Sequence, residues 1–209
     1  YSRYISNDAG FEKFSGYNFS NKEFSTATSL SKIWNGVLDD NGNASFNLTL
    51  DAGQNVSGLL NAILETRVYE PSGAYSIETK SIPFSPFSRY VGLKLPESDD
   101  EYRNVFYNDK THTAEIVLVD EAGELIKTNT AVKFSVYKLD WKWWWIRDAY
   151  TKASYDENRA ASKVFSKEVT VRGGKASVDF ELEDWGRYLF VVNDTQGGHS
   201  ATDIGYVDY

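Results

Sequence analysis

Cysteine is absent from the 209 residues. Disulfides, thiol nucleophiles and cysteine-ligated metals are thereby excluded. No compartment is excluded with them, since bacterial envelope proteins often lack the residue. Histidine is nearly absent: only His112 and His199 occur. Zinc takes about four nitrogen, sulfur or oxygen ligands, usually with paired spacing, and two separated histidines do not supply that. No Gly-x-Ser-x-Gly elbow marks a hydrolase nucleophile, and His199, beside Gly197 and Gly198, reads as a turn residue. There is no run of about 18 apolar residues, so no membrane span is expected. Clustered basic residues are missing too, and a net charge of −8 argues against a nucleic-acid partner. The chain has neither an initiator methionine nor a signal peptide, and so reads as a piece of something longer.

What is present is β-sheet text. Apolar residues make up 41% of the chain and aromatics 15%, which suits a packed protein rather than a disordered one. Ala176, Val178, Phe180 and Leu182 alternate with Lys175, Ser177, Asp179 and Glu181, the period-2 pattern of a strand with one buried face. Gly173 and Gly174 supply the turn before it. After Glu183–Gly186 turns the chain, Arg187–Asn193 starts an antiparallel partner. The same text occurs earlier. Asn41–Leu50 matches Gly173–Leu182 in turn glycine, Ala-Ser pair and alternation, and Ala62–Val68 matches Tyr188–Val192. A repeat separated by more than a hundred residues implies two copies of one β domain, since solenoid units are shorter.

Residues 1–30 are expected to hold one strand and then a long loop studded with aromatics. Ser31–Leu38, Ala44–Leu50, Leu59–Tyr69 and Ala74–Pro83 are the remaining strands expected of the first half. Pro83 and Pro86 remove backbone donors and stiffen the segment between them, which reads as a short linker. The predicted domains are therefore 1–88 and 89–209. In the second, seven strands are expected: Arg89–Leu95, Thr113–Asp120, Ala131–Trp145, Lys163–Val171, Lys175–Leu182, Arg187–Asn193 and Ala201–Val207. Seven strands with almost no helical periodicity predict an immunoglobulin-like antiparallel sandwich. The first half offers about five, so it is expected to lack its opening strands. The fold class is thus all-β, with two tandem sandwiches and the first truncated.

Few residues invite chemistry. Glu97–Glu101 is acidic but lacks the spaced ligand pattern of a calcium loop, so a solvated loop is expected. Asn18, Asn43, Asn47, Asn55 and Asn193 open Asn-x-Ser/Thr triplets, which are glycosylation acceptors in eukaryotic secreted proteins. An Asn- and Ser-rich β surface is the simpler account. Trp141, Trp143, Trp144 and Trp145 are the most unusual text. Val132, Phe134 and Val136 define one strand face, whereas Leu139, Trp141, Trp143 and Trp145 fall on the other parity, which implies a bulge or a strand changing sheets. The tryptophans are a candidate interface for a sugar or a protein, or else pack beneath the charged excursion 147–159. Trp185, flanked by Asp184 before it and by Gly186, Arg187 and Tyr188 after, is expected to plug the end of the core. Truncating it would then cost about 3–5 kcal/mol.

Gly174–Leu182, then Asp184–Tyr188, then Asp194 with Gly197–Thr202 resembles the bacterial α2-macroglobulins. In that family such text closes the macroglobulin-like domain that precedes the bait-region domain. The first half is similar to the domain before it, through Gly16–Phe19, Leu38–Ala44, Val68–Gly73 and Tyr90–Leu93. The resemblance implies the fifth and sixth macroglobulin-like domains of a protease-trapping protein of the bacterial envelope, periplasmic or surface-exposed. Its implied partners are the neighbouring macroglobulin-like and bait-region domains, and the proteases trapped by the whole protein. It implies no catalytic residue, no cofactor and no metal here, and the reactive thioester of many members needs a cysteine this chain does not have. A carbohydrate-binding or adhesive module using Trp141–Trp145 is the alternative from another class, and a hydrolase the third.

Overall fold

The computed structural model describes residues 1–208 except 25, 27, 28, 54, 55, 99–104, 109 and 140–160. Eleven strands appear among them, with one 3₁₀ turn over Glu12–Phe14 and no α-helix. β1 (Ser2–Ser6), β2 (Leu60–Tyr69) and β3 (Tyr75–Phe84) form one antiparallel sheet in the order β1-β2-β3. The other eight are β4 (Arg89–Lys94), β5 (Val105–Tyr107), β6 (His112–Asp120), β7 (Thr130–Leu139), β8 (Ala161–Val171), β9 (Lys175–Phe180), β10 (Gly186–Asn193) and β11 (Ser200–Asp208). They make a three-stranded sheet, β4-β6-β9, and a five-stranded one, β5-β11-β10-β7-β8. All pairings are antiparallel except β5 with β11.

These two sheets face one another as a sandwich. Alternation puts Val91, Leu93, Ile116 and Leu118 on the inner face of one, against Phe134, Val136, Tyr188 and Phe190 of the other. Ring contacts such as Phe180–Phe190, 5.2 Å between centroids, fill the middle. Fully burying each such side chain contributes roughly 1.5–3 kcal/mol, so this core carries most of the stability. The run Ile116–Val119 breaks the alternation because both faces of β6 are covered. Ile116 and Leu118 point into the sandwich, while Val117 and Val119 face a second cluster outside it.

Several expectations are corrected. Strand β5 was not expected; three residues of parallel edge are too short for a periodic signal. Ser31–Leu38 forms only one bridge, Ser2 with Ser31, and Ala44–Leu50 joins no ladder. The turn before Ala44 does form, with Gly42 N–H donating to Asp39 O at 2.9 Å and Gly42 at φ +77°. No bulge shifts the parity of β7 over Thr130–Leu139, where Val136 faces the core and Tyr137 and Leu139 the outer side; the irregularity lies in its partner. Val136 pairs with Phe165 and Tyr137 with Lys163, so Val164 of β8 is the extra residue. Tyr137, Leu189 and Val191 then bury a small cluster on the outer face. Trp141, Trp143, Trp144 and Trp145 lie outside the described residues.

Trp185 does not plug the core. It is 56% exposed, and the end of the sandwich is closed by Tyr188 instead, whose hydroxyl donates to Asp184 O at 2.7 Å. The residues around the turn are chain-reversal text without a cavity to fill, so the ring's size said nothing about its side. Trp185→Ala is now expected to cost less than about 1 kcal/mol, as surface truncations do, and a thermal melt beside the parent chain checks it.

Candidate functional site: the seam between the first sheet and the sandwich

The aromatic loop of residues 8–24 does not stay with the first sheet. After β1 it crosses onto the outer face of β4-β6-β9 and returns, forming a strap. Phe19 is buried there with Tyr90, Val117 and Val119, and Phe11, Phe14 and Tyr17 pack around them. The fit is close: a Cβ on Gly92 would stand 2.6 Å from the Phe19 ring, so only glycine lets the ring lie flat on β4. Tyr17 donates its hydroxyl to Glu115 at 2.6 Å, and burial together with that bond pushes its pKa up to about 12.

The strap is pinned by backbone. Asn18 and Leu93 exchange both N–H···O bonds, at 2.8 and 3.0 Å. Thr202 N–H donates to Ser20 O at 3.0 Å, and Lys22 N–H to Thr202 Oγ1 at 2.8 Å. Asn21 reaches both ways, its amide donating to Ser200 Oγ at 2.6 Å and its N–H to Ser57 O at 2.6 Å. The family-like text Ser200–Thr202 is therefore the docking edge for residues 18–22.

His199 sits at the centre, 1% exposed. Val91 N–H donates to its Nδ1 at 3.0 Å, which places the proton on Nε2, and Nε2 donates to Phe19 O at 3.0 Å. The rings of Tyr90 and Phe87 close around it edge-on, with centroids 4.8 and 5.1 Å away. His199 does close the β10–β11 turn, its O accepting from Asp194 N–H at 2.9 Å, and it also joins strap, linker and β4, so neither ring nitrogen remains to take a substrate proton. Burial pushes its pKa down to about 4.

Beside it lies an ion pair. Asp194 is 1% exposed and receives both Nε and Nη2 of Arg89, the latter at 2.7 Å to Oδ1. Asp194 Oδ1 also accepts from Gln196 N–H at 3.1 Å, and Gly198 N–H donates to Asp194 O at 2.8 Å. A Cβ on Gly197 would collide with both the carboxylate and the guanidinium. Asp194, Gly197 and His199 thus form one structural unit that ties the start of β4 to the β10–β11 turn.

Glu23, at the end of the strap, is the anomaly. Its Oε1 is buried without a hydrogen-bond partner among the described residues, and burial pushes its pKa up to about 7 against the opposing Asn21 bond. A carboxyl raised in the folded chain contributes stability below its unfolded value, and loses it as pH rises through the folded one. His199 runs the other way: its contribution is present above its unfolded value and lost as pH falls toward about 4. The two slopes oppose each other between about pH 4.5 and 6.5. Glu23→Gln is therefore expected to match the parent near pH 4.5 and exceed it by about 1–3 kcal/mol at pH 8. Urea denaturation at the two pH values checks it.

The other residues of interest are placed elsewhere. Gly174 holds the β8–β9 turn at φ +81°, where a Cβ would stand 2.8 Å from Leu125. Gly186 opens β10 opposite Val207, Arg187 pairs with Leu139 and Tyr206, and Tyr188 is core. His112 meets Tyr107 O at 2.8 Å at the far end of β6, separate from His199. No metal-holding group of three or more His, Asp or Glu occurs among the described residues. Sequence reasoning marked the Asp194–Thr202 text but missed the Arg89 pairing and the strap. The one signal for the strap was its close spacing of Phe, Tyr and Asn without a period.

Comparison with known proteins follows this architecture. Residues 92–209 match the family model described as bacterial macroglobulin domain 6. No curated protein matches the chain. Among solved structures, the whole chain superposes on α2-macroglobulin of E. coli in its native conformation, with a TM-score of 0.60 and 14% identity. It does so on Salmonella α2-macroglobulin reacted with methylamine (0.59, 14%) and on the E. coli protein activated by porcine elastase (0.56, 14%). The chain spans 14%, 14% and 18% of those three chains. No helix among the described residues is long and apolar enough to cross a membrane. With its β4–β11 sandwich matched over more than half of its length, the chain belongs to the bacterial macroglobulin domain 6 family.

Proposed function

We propose that this chain is a non-catalytic scaffold segment of a bacterial α2-macroglobulin-like protein that traps proteases in the cell envelope. It comprises two tandem macroglobulin-like units, 1–88 and 89–209, in contact with neighbouring macroglobulin-like and bait-region domains, and needs no cofactor. The observation that carries the reading is the seam. Its polar groups are spent on structure: His199 bonds Val91 within the second unit and Phe19 of the first, and the Asp194 carboxylate is taken up by Arg89 within the second. Such a joint holds units in fixed relation, which is what a shell that must enclose a protease requires.

The test uses the longer protein and this chain in parallel. The chain alone is expected neither to hydrolyse ester or peptide substrates nor to slow a protease acting on a protein substrate. The longer protein is expected to reduce protease activity on large substrates while sparing small ones. Hydrolysis by the chain itself, or a longer protein that leaves large-substrate activity unchanged, would overturn the proposal.

A further inference from the structure

The strap is held by two clamps of different chemistry. Upstream, Asn18 and Leu93 exchange backbone bonds, and backbone amides do not titrate. Downstream the bonds converge on Asn21, which is buried. Its N–H donates to Ser57 O and its side-chain amide to Ser200 Oγ. Its Oδ1 accepts from Glu23 N–H at 2.8 Å, and its O from Phe24 N–H at 3.2 Å. The chain thus curls back on Asn21 over residues 21–24, and the Glu23 carboxyl goes inward with the curl.

That carboxyl has no answering charge. Its Oε1 is buried without a hydrogen-bond partner among the described residues. On the strap itself, Lys22 sends its Nζ to Asp203 of β11 at 2.8 Å, and Asp8 takes the Ser20 hydroxyl at 3.0 Å. In the β10–β11 turn, Asp194 is held by Arg89, and His199 has both ring nitrogens bonded. Val56, Ser57 and Gly58 are uncharged, and Ser57 Oγ meets only the hydroxyls of Ser6 and Thr26 among the described residues. A neutral carboxyl withholds only a dipole from water here, whereas an ionised one withholds a charge. Burial accordingly pushes its pKa up to about 7.

We infer that residues 21–24 form a proton-operated latch: the strap end stays docked while the Glu23 carboxyl is neutral. Ionisation releases that end from Ser57 and Ser200, while Asn18 keeps the rest of the strap on β4. Release frees one corner of the seam without unfolding either unit. The latch belongs to this chain's own seam and does not depend on protease trapping.

Amide hydrogen exchange in the 209-residue chain, corrected at each pH for the intrinsic rate, tests this. The released carboxyl gives up its proton near 4.5 and the docked one only near 7. Opening therefore becomes up to about tenfold easier per pH unit between those values, and no easier above them. Protection of the Asn21 and Phe24 amides is expected to fall by about a hundredfold from pH 4.5 to 8, while that of Asn18 and Leu93 stays level. In Glu23→Gln, Asn21 and Phe24 are expected to stay protected throughout. The Glu23 carboxyl carbon, followed by NMR in the unaltered chain, is expected to titrate near 7, a readout independent of how the variant folds. A midpoint near 4.5 overturns the inference, as does level protection of Asn21 in the unaltered chain. So does a fall shared equally by Asn18 and Leu93, or one that persists in Glu23→Gln.

Discussion

Arg89→Ala is expected to lower the stability of the second sandwich by about 3–5 kcal/mol, because it strands a buried charge. Asp194 is fully enclosed at its side chain, and Arg89 supplies two of the donors that reach the carboxylate. The remaining donor, Gln196 N–H, carries no charge. The loss is large against the roughly 5–15 kcal/mol by which domains are stable, so partial unfolding at ambient temperature is expected. The pair itself is not the source of the figure. Replacing both partners with uncharged groups of similar volume is often neutral, so Arg89→Met combined with Asp194→Asn is expected to recover much of the loss. Urea titration of the parent, both single variants and the double variant measures the coupling. A loss below about 1 kcal/mol for Arg89→Ala would mean the carboxylate is reached by water, as exposed ion pairs are.

Gly58→Val is expected to be nearly as damaging, and by a route confined to the seam. A Cβ at Gly58 would lie 2.5 Å from Phe19 O, a backbone atom that no rotamer change can move. Gly58 also sits at φ +143°, where L side chains are strained. The displaced carbonyl is the acceptor of the His199 Nε2 proton. Backbone strain of about 1–3 kcal/mol therefore adds to about 1–3 kcal/mol for leaving a buried donor unpaired. Gly53→Val is the control: its φ of +77° is also positive, but nothing stands within 4 Å of its Cβ. It should cost only the conformational part. The amide of Val91, hydrogen-bonded to His199 Nδ1, gives a local readout by exchange. Gly58→Val should accelerate it and Gly53→Val should not.

The strands legible in the sequence are those with at least one covered face. β2 and β9 fall within a residue or two of expectation because one apolar face alternates against a core, and β6 and β10 do so as apolar runs covered on both faces. Ala44–Leu50 has the same text and no ladder, since a strand requires a neighbour that its own sequence does not contain. β5 was invisible because three residues carry no period. Trp185 was misread because a side chain's area gives its appetite for burial and not its direction, which the turn geometry sets. His199 was read only in part, for a related reason. Neighbouring glycines do mark a turn, but its partners Phe19 and Val91 lie 180 and 108 residues away. No local pattern encodes such a contact. The Asp194–Thr202 text was recognisable as a unit, whereas its purpose became visible only with the strap laid across it.

The strap has a mechanical consequence. The chain passes between the β1-β2-β3 sheet and the sandwich three times: outward after β1 to reach Leu93, back to pair Ser31 with Ser2, and outward again between Phe84 and Arg89. A single tether would act as a swivel and dissipate any twist. Three crossings, with backbone bonds from Asn18 and Ser20 to β4 and β11 and from Asn21 to Ser57, oppose rotation of the first sheet against the sandwich. A rotation imposed at the β2–β3 tip would load these bonds in shear, all at once.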